Sequence, residues 1–169
     1  MIIKKLKSHM GETKYDWLYS VHHFSFGDYY DSNNLGVGPL RVINEEDIET
    51  RLAQVWIIPD KSDYEPKYGQ VNFKWEDRIN KFLLIASGVK EAPIKINQNV
   101  NMYALYLEKG KKIKFSPEKG YGYYMAFFQG KTQVDELIIE KYEAIMGDEN
   151  IEMTSLEDSH MLIFEIKKK

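Results

Sequence analysis

Four histidines, His9, His22, His23 and His160, are the residues of this 169-residue chain best suited to hold a transition metal. Imidazoles chelate readily from positions two apart on a strand, because such residues project from the same face and can meet one ion. No His-x-His occurs in the sequence. His22 and His23 are adjacent, so on a strand they would point to opposite faces and could not chelate together. A site would have to gather His9, one of that pair and His160 from three separate places, and hydrogen-bonded or solvated histidines are the plainer reading. The expectation is therefore no cofactor, with His22, His23 and His160 as the residues that would contribute if iron or another divalent metal were bound.

Other catalytic patterns are thinner. Glu45, Glu46, Asp47 and Glu49 form an acidic run that reads more simply as a solvated loop than as an acid–base pair. Gly36-x-Gly38 and Gly120-x-Gly122 lack the third glycine and helix start of a dinucleotide fingerprint, and read as turns or bulges. There is no phosphate-binding loop and no nucleophile elbow. Ser25 and Asp28 lie near His22 and His23 in sequence, but a triad is defined by geometry rather than by proximity along the chain. With no cysteine, disulfides, thiolate zinc sites and cysteine nucleophiles are excluded. No catalytic residue is assigned.

Apolar stripes offer a different chemistry. Alternation over 121–128 places Tyr123, Met125 and Phe127 on one face, and over 102–107 it groups Tyr103, Leu105 and Leu107. Such stripes usually make a core. The functional alternative is an apolar pocket lined by Tyr103, Tyr123, Met125 and Phe127, taking a small apolar ligand at the mouth of a β-structure.

The elements that would position these residues are strands. Aromatics make up 14% of the chain, with 12 tyrosines, a composition that suits pleated, half-buried surfaces. Short apolar runs recur between Gly, Pro, Asn and Asp clusters. Candidate strands are Ile2–Leu6, Trp17–Val21, Leu40–Ile43, Leu52–Ile58, Phe82–Ala86, Met102–Leu107, Ile113–Phe115, Tyr121–Phe128 and Met161–Ile166. Between 134 and 146 the pattern is open. Val134, Leu137, Ile138 and Ile145 sit at near-helical spacing, but two short strands, Leu137–Ile139 and Ala144–Met146, fit as well. A formal charge of −3 argues against a phosphate-tracking surface, so no nucleic-acid partner is expected. With no apolar run long enough for a signal peptide or a membrane span, a soluble cytoplasmic protein is expected.

One long, ordered set of motifs resembles a known family. Tyr15-Asp16-Trp17-Leu18-Tyr19-Ser20-Val21-His22-His23-Phe24-Ser25-Phe26-Gly27-Asp28-Tyr29-Tyr30-Asp31, followed by Leu35-Gly36-Val37-Gly38-Pro39-Leu40-Arg41-Val42-Ile43-Asn44-Glu45, resembles the N-terminal signature of pirin-like, quercetin 2,3-dioxygenase-like bicupins. Asp16 stands where the family usually has glycine, and Val37 where it often has phenylalanine. The match resumes at Leu52-Ala53-Gln54-Val55-Trp56-Ile57-Ile58-Pro59 and Tyr64-Glu65-Pro66-Lys67-Tyr68. Between these blocks the family carries the segment with its His-x-His pair and further metal ligands, whereas here only Glu46–Ala53 remains.

The resemblance implies an all-β protein: a cupin-like jelly-roll barrel over 53–169, with 1–52 as the remnant of a second, incomplete barrel. It favours strands over a helix at 134–146. The remnant is expected to pack through Trp17, Phe24, Phe26, Tyr29 and Tyr30, and its unpaired edges and aromatic face point to a homodimer interface there. The function expected is binding or regulation, through a protein partner or a small apolar ligand, without the metal chemistry of the family. The alternative is a metal-dependent oxygenase using other ligands or a partner subunit.

Overall fold

The computed structural model describes the backbone of residues 4–7, 20–22 and 68–70, and the whole of residues 53, 55, 57–61, 64 and 71–168. Strands dominate. They are β1 (Lys4–Lys7), β2 (Ser20–His22), β3 (Tyr68–Gln70), β4 (Leu83–Ser87), β5 (Ile94–Lys95), β6 (Val100–Leu107), β7 (Lys112–Phe115), β8 (Tyr121–Gln129), β9 (Lys131–Val134), β10 (Leu137–Glu140), β11 (Glu143–Gly147), β12 (Ile151–Ser155) and β13 (Ser159–Lys167). A 3-10 turn, Trp75–Arg78, precedes β4. No helix among the described residues is long and apolar enough to cross a membrane.

Two sheets carry the fold. A seven-stranded sheet runs β1-β11-β8-β13-β6-β4-β5 and a four-stranded sheet runs β10-β9-β12-β7. All pairs in them are antiparallel except β4 with β5. β2 and β3 pair separately, joining the N-terminal region to the stretch before β4. Each sheet keeps its own hydrogen-bond ladder, and a shared apolar interior joins them into a flattened jelly roll. That interior holds Leu105, Leu107, Phe115, Met125, Phe127, Val134, Ile139, Ile145, Met153, Met161 and Ile163.

Strand alternation explains this packing. On β8, Tyr123, Met125 and Phe127 enter the interior, while Tyr124, Ala126 and Phe128 face the other way, as the two-residue period requires. The outward set meets a second apolar layer made of Ile85, Val100, Met102, Leu162 and Phe164, with Ala53, Ile57, Val71 and Phe73 packed over it. Residues from the stretch before β4 thus cover the outer face of the larger sheet.

The strand reading of 134–146 holds. Leu137 pairs with Val134 across a tight turn, and Ala144 and Ile145 pair with Ala126 and Met125. Ile139 is buried while Ile138 and Glu140 are exposed, which is a period of two rather than of 3.6. Leu52–Ile58 requires correction: its described residues, 53, 55, 57 and 58, lie in no strand. Ala53 and Ile57 pack down on the sheet, but Val55 and Ile58 are exposed, and the Ile58 carbonyl is held by the Gln98 side chain rather than by a neighbouring strand. Four strands escape the sequence reading: β3, β5, β9 and β12. The candidate strand Leu40–Ile43 lies outside the described residues.

Turn chemistry fixes the connections. Gly130, between β8 and β9, has φ +77° and presses against the Asp158 carbonyl and the Ser159 hydroxyl, so any side chain there would collide with backbone.

Candidate functional site

A polar cluster sits at one end of the interior, where apolar residues would be expected. β6 and β13 pair with Glu165 opposite Asn101 and Ile163 opposite Tyr103. Asn101 and Tyr103 share the inward face with Leu105 and Leu107, and Glu165 shares it with Met161 and Ile163. Glu165, Asn101 and Ser87 are all buried.

A buried carboxylate is costly unless hydrogen bonds replace its water. Glu165 has them. Its Oε2 accepts from Asn101 Nδ2 at 2.7 Å and from the Tyr103 hydroxyl at 3.2 Å. Its Oε1 accepts from the backbone N–H of Glu118 at 2.7 Å. Asn101 is oriented in turn by the Ser87 hydroxyl, which donates to its Oδ1 at 2.6 Å. Ser87 Oγ also accepts from the Val89 and Lys90 amides, which fixes the loop that carries Lys90.

Lys90 closes the cluster on the solvent side. Its Nζ donates to the Tyr103 hydroxyl at 2.7 Å and lies 2.7 Å from Glu118 Oε1 and 3.5 Å from Glu165 Oε2. Burial works to lower its pKa, but the bonds to Glu118 and Tyr103 and the charge of Glu165 outweigh burial and hold it above the ordinary lysine value. The ammonium therefore stays charged and is no nucleophile at neutral pH. For Glu165, burial works to raise the pKa, yet the Glu118 amide, Asn101, Lys90 and Tyr103 together hold it below its ordinary value. Burial pushes the Tyr103 hydroxyl up, partly opposed by Lys90. The arrangement is an ordered ion pair with a chain of hydrogen bonds.

Beneath it lie aromatic rings. Tyr103 meets Phe82 and Phe115 edge-on, each at 6.3 Å, and Phe115 meets Tyr123 at 5.6 Å. Burial, with Asp135, Asp148 and Glu149 nearby, pushes the Tyr123 phenol up to about 12.

The four pocket residues chosen from sequence do come together. Tyr123, Met125 and Phe127 are buried in the interior and Tyr103 packs against it, all within one cluster. Of the four histidine side chains, only that of His160 is described. His160 is buried on the opposite face of the larger sheet, 5.3 Å from Trp75 and 6.4 Å from Tyr106 between ring centroids. Arg78, whose guanidinium lies 4.8 Å from the Trp75 ring, is buried in the same region. His22 belongs to β2, where only the backbone is described. His23, Trp17, Phe24, Phe26, Tyr29 and Tyr30 lie outside the described residues. Among the described residues no group of three His, Cys, Asp or Glu side chains could hold a metal ion.

Sequence reasoning missed Lys90, Asn101, Glu118 and Glu165. A signal was present for two of them. Glu165 continues the inward series Met161, Ile163, and Asn101 continues the series Leu107, Leu105, Tyr103, so each places a polar group where the pattern demands an apolar one. Lys90 and Glu118 sit in loops, where the pattern carries no such signal.

Two apolar sheets around a common interior, with this connectivity, define a cupin jelly roll. Residues 83–166 match the family "Quercetinase C-terminal cupin domain", and the chain is a pirin-like relative carrying that domain as its second half. It is 23% identical to "Putative quercetin 2,3-dioxygenase PA1210" of Pseudomonas aeruginosa, over 98% of this chain and 100% of that protein. It is 22% identical to a pirin-like protein of Caulobacter vibrioides, over 96% of this chain and 98% of that one. The Pseudomonas alignment spans 231 positions against 169 residues here, so at least 62 positions have no residue in this chain. Because both proteins are covered almost end to end, this shortening is internal. Among solved structures, YhhW from Escherichia coli superposes with a TM-score of 0.61 at 18% identity, covering 68% of this chain. The superposed part spans about half, 49%, of the YhhW chain. A second structure of YhhW, in complex with nickel(II), gives a TM-score of 0.60 at 17% identity, covering 68% of this chain and 49% of that one.

Proposed function

We propose that this chain is a pirin-like cupin that works by binding, without the quercetin 2,3-dioxygenase activity named for several of its relatives. The observation that carries this reading is the interior itself. Inward positions along β6, β8 and β13 are filled by Leu105, Leu107, Met125, Phe127, Met161 and Ile163, and the polar exceptions at one end already bond one another. Among the described residues, these inward positions offer no group of metal ligands. The motif spacing supports it, because the resemblance puts the missing stretch between Glu45 and Ala53, where the family's His-x-His segment would stand. Elemental analysis after expression with iron, nickel or manganese supplied should give well under one ion per chain. Near-stoichiometric metal that disappears in His22→Ala or His23→Ala would overturn the proposal.

The names of the relatives, and the nickel complex of YhhW, favour the second reading, an oxygenase with other ligands. The same assay would detect it. A homodimer through Trp17, Phe24, Phe26, Tyr29 and Tyr30 is part of the binding reading, since a shortened first barrel leaves aromatic residues to cover. Light scattering after size exclusion should give twice the 19.9 kDa chain mass, reduced to one chain by Phe24→Asp. A single-chain mass across micromolar concentrations would remove the dimer.

A further inference from the structure

Glu118 occupies the polar end of the interior in the manner of a ligand. It sits on the β7–β8 connection, and Ser116, Lys119 and Gly120 around it are exposed. Its backbone N–H anchors the loop to Glu165, while its side chain, 51% exposed, reaches back to Lys90 at 2.7 Å. These two attachments are independent. The carboxylate can swing into water while the amide keeps the loop in place.

Lys90 does not depend on Glu118 for its position. The Tyr103 hydroxyl holds its Nζ at 2.7 Å, Glu165 lies 3.5 Å away, and Ser87 fixes its backbone. If the Glu118 carboxylate leaves, one ammonium N–H points at the vacated space. That N–H is then free to donate to an anion, because the Glu165 oxygens are already engaged by Asn101, Tyr103 and the Glu118 amide. Lys95 donates its Nζ to the Lys90 carbonyl at 2.6 Å, which ties down the same loop. Beside this position lie half-buried rings. The Tyr103 ring is 5.5 Å from the Lys90 ammonium, Phe82 stands edge-on to it, and Pro117 flanks Glu118 in a half-buried position.

We propose that this end of the interior is a binding site for a small aromatic carboxylate, whose carboxylate replaces that of Glu118 on Lys90 and whose ring lies against Tyr103 and Phe82. The proposal rests on the binding reading and supplies its ligand class. Glu118 then acts as a tethered competitor that covers Lys90 when no ligand is present.

The test is a titration of the full chain with 1-naphthoate at pH 7, followed by amide chemical shifts and by calorimetry. Shifts should centre on Lys90, Tyr103 and Glu118. Glu118→Gln removes the competitor and should tighten binding about two- to fivefold, the worth of an exposed ion pair. Lys90→Met should weaken it about tenfold or more, as loss of a charged hydrogen bond does, and Lys90→Arg should restore part of it. Acetate, with charge but no ring, and 1-naphthylmethanol, with ring but no charge, should both bind more weakly than naphthoate. Glu118→Gln changes a half-exposed side chain and should keep the wild-type amide spectrum, so it tests the site even if Lys90→Met misfolds. No saturable naphthoate binding, shifts centred elsewhere, or a Glu118→Gln variant that binds no tighter would each overturn the proposal. Metal content is a separate measurement, so failure here leaves the metal-free reading standing or falling on its own assay.

Discussion

The two sheets bury themselves differently. On the four-stranded sheet, inward residues alternate with charged ones: Phe115 and Ile113 with Lys112 and Lys114, Ile151 and Met153 with Glu152, Ile139 with Glu140. Its outer face is laced with ion pairs, Lys112 and Lys114 with Glu152 and Lys131 with Glu140. The seven-stranded sheet has no such face on its central strands. β13 is buried at every position from Ser159 to Glu165, and on β6 only Tyr103 and Tyr106 are partly open. Antiparallel sheets commonly leave one face to water; one buried on both sides needs a second covering layer. That layer includes Ala53, Ile57, Val71 and Phe73. The stretch before β4 is therefore part of what stabilises the cupin domain.

The comparison breaks if the outer layer is only loosely applied. Phe127→Ala, in the interior shared by both sheets, should cost about 3–5 kcal/mol in denaturant unfolding, the range for a buried aromatic. Leu162→Ala, on the outer face of the larger sheet, should cost about 2–5 kcal/mol, because Leu162 is fully buried there as well. A Leu162→Ala cost below about 1 kcal/mol would mean that the cover contributes little to burial.

This two-sided burial also sets what could be read from the sequence. Half-buried strands announce themselves by alternation; on β8 both faces are apolar, so alternation groups Tyr123, Met125 and Phe127 together without telling which face turns inward. Leu137–Glu140 and Glu143–Gly147 were harder, because Val134, Leu137, Ile138 and Ile145 imitate a helical period across two short strands and a turn. β5 is two residues long, too short for any pattern, and β9 reads as Lys-Thr-Gln-Val, with two buried positions of which one is a threonine. Leu52–Ile58 reads as a strand because it is apolar, yet its described residues Ala53 and Ile57 lie in coil packed on the sheet. The candidate site was partly legible: Tyr103 was chosen, but as the lining of an apolar pocket. Its polar partners come from β13 and two loops far away in sequence, and only the pairing of β6 with β13 brings them together.

Glu165 is a buried charge on β13, at the centre of the larger sheet, so its removal sharpens the contrast at a smaller scale. Glu165→Gln should cost about 1–3 kcal/mol at neutral pH, since Asn101, Tyr103 and the Glu118 amide lose a charged acceptor. The pH dependence has a definite sign. The folded pKa of Glu165 lies below its unfolded value of about 4.3. Its stabilisation is therefore fully present above that unfolded value and is lost as pH falls through the folded one. The stability gap between wild type and Glu165→Gln should be flat from about pH 5 upward and narrow on further acidification. A gap that widened in acid would reverse the assignment of Glu165 as an ionised, hydrogen-bonded group.

The smallest effect should come from the outer face of the four-stranded sheet. Glu152 lies between Lys112 at 3.8 Å and Lys114 at 3.7 Å, and all three side chains are substantially exposed. Exposed pairs gain little, because water screens the charges and both long side chains lose freedom in holding one geometry. Glu152→Ala should therefore cost about 0.5 kcal/mol or less, and most of that should vanish in molar salt, where the Debye length falls to about 3 Å. The backbone N–H of Glu152 still donates to Asp135 Oδ1 in the variant, so the β9–β10 turn keeps its anchor. A cost above about 2 kcal/mol, insensitive to salt, would show that this face is covered by something in solution. The two sheets would then be alike in needing a second layer, and the contrast between them would fail on the side where it now looks safest.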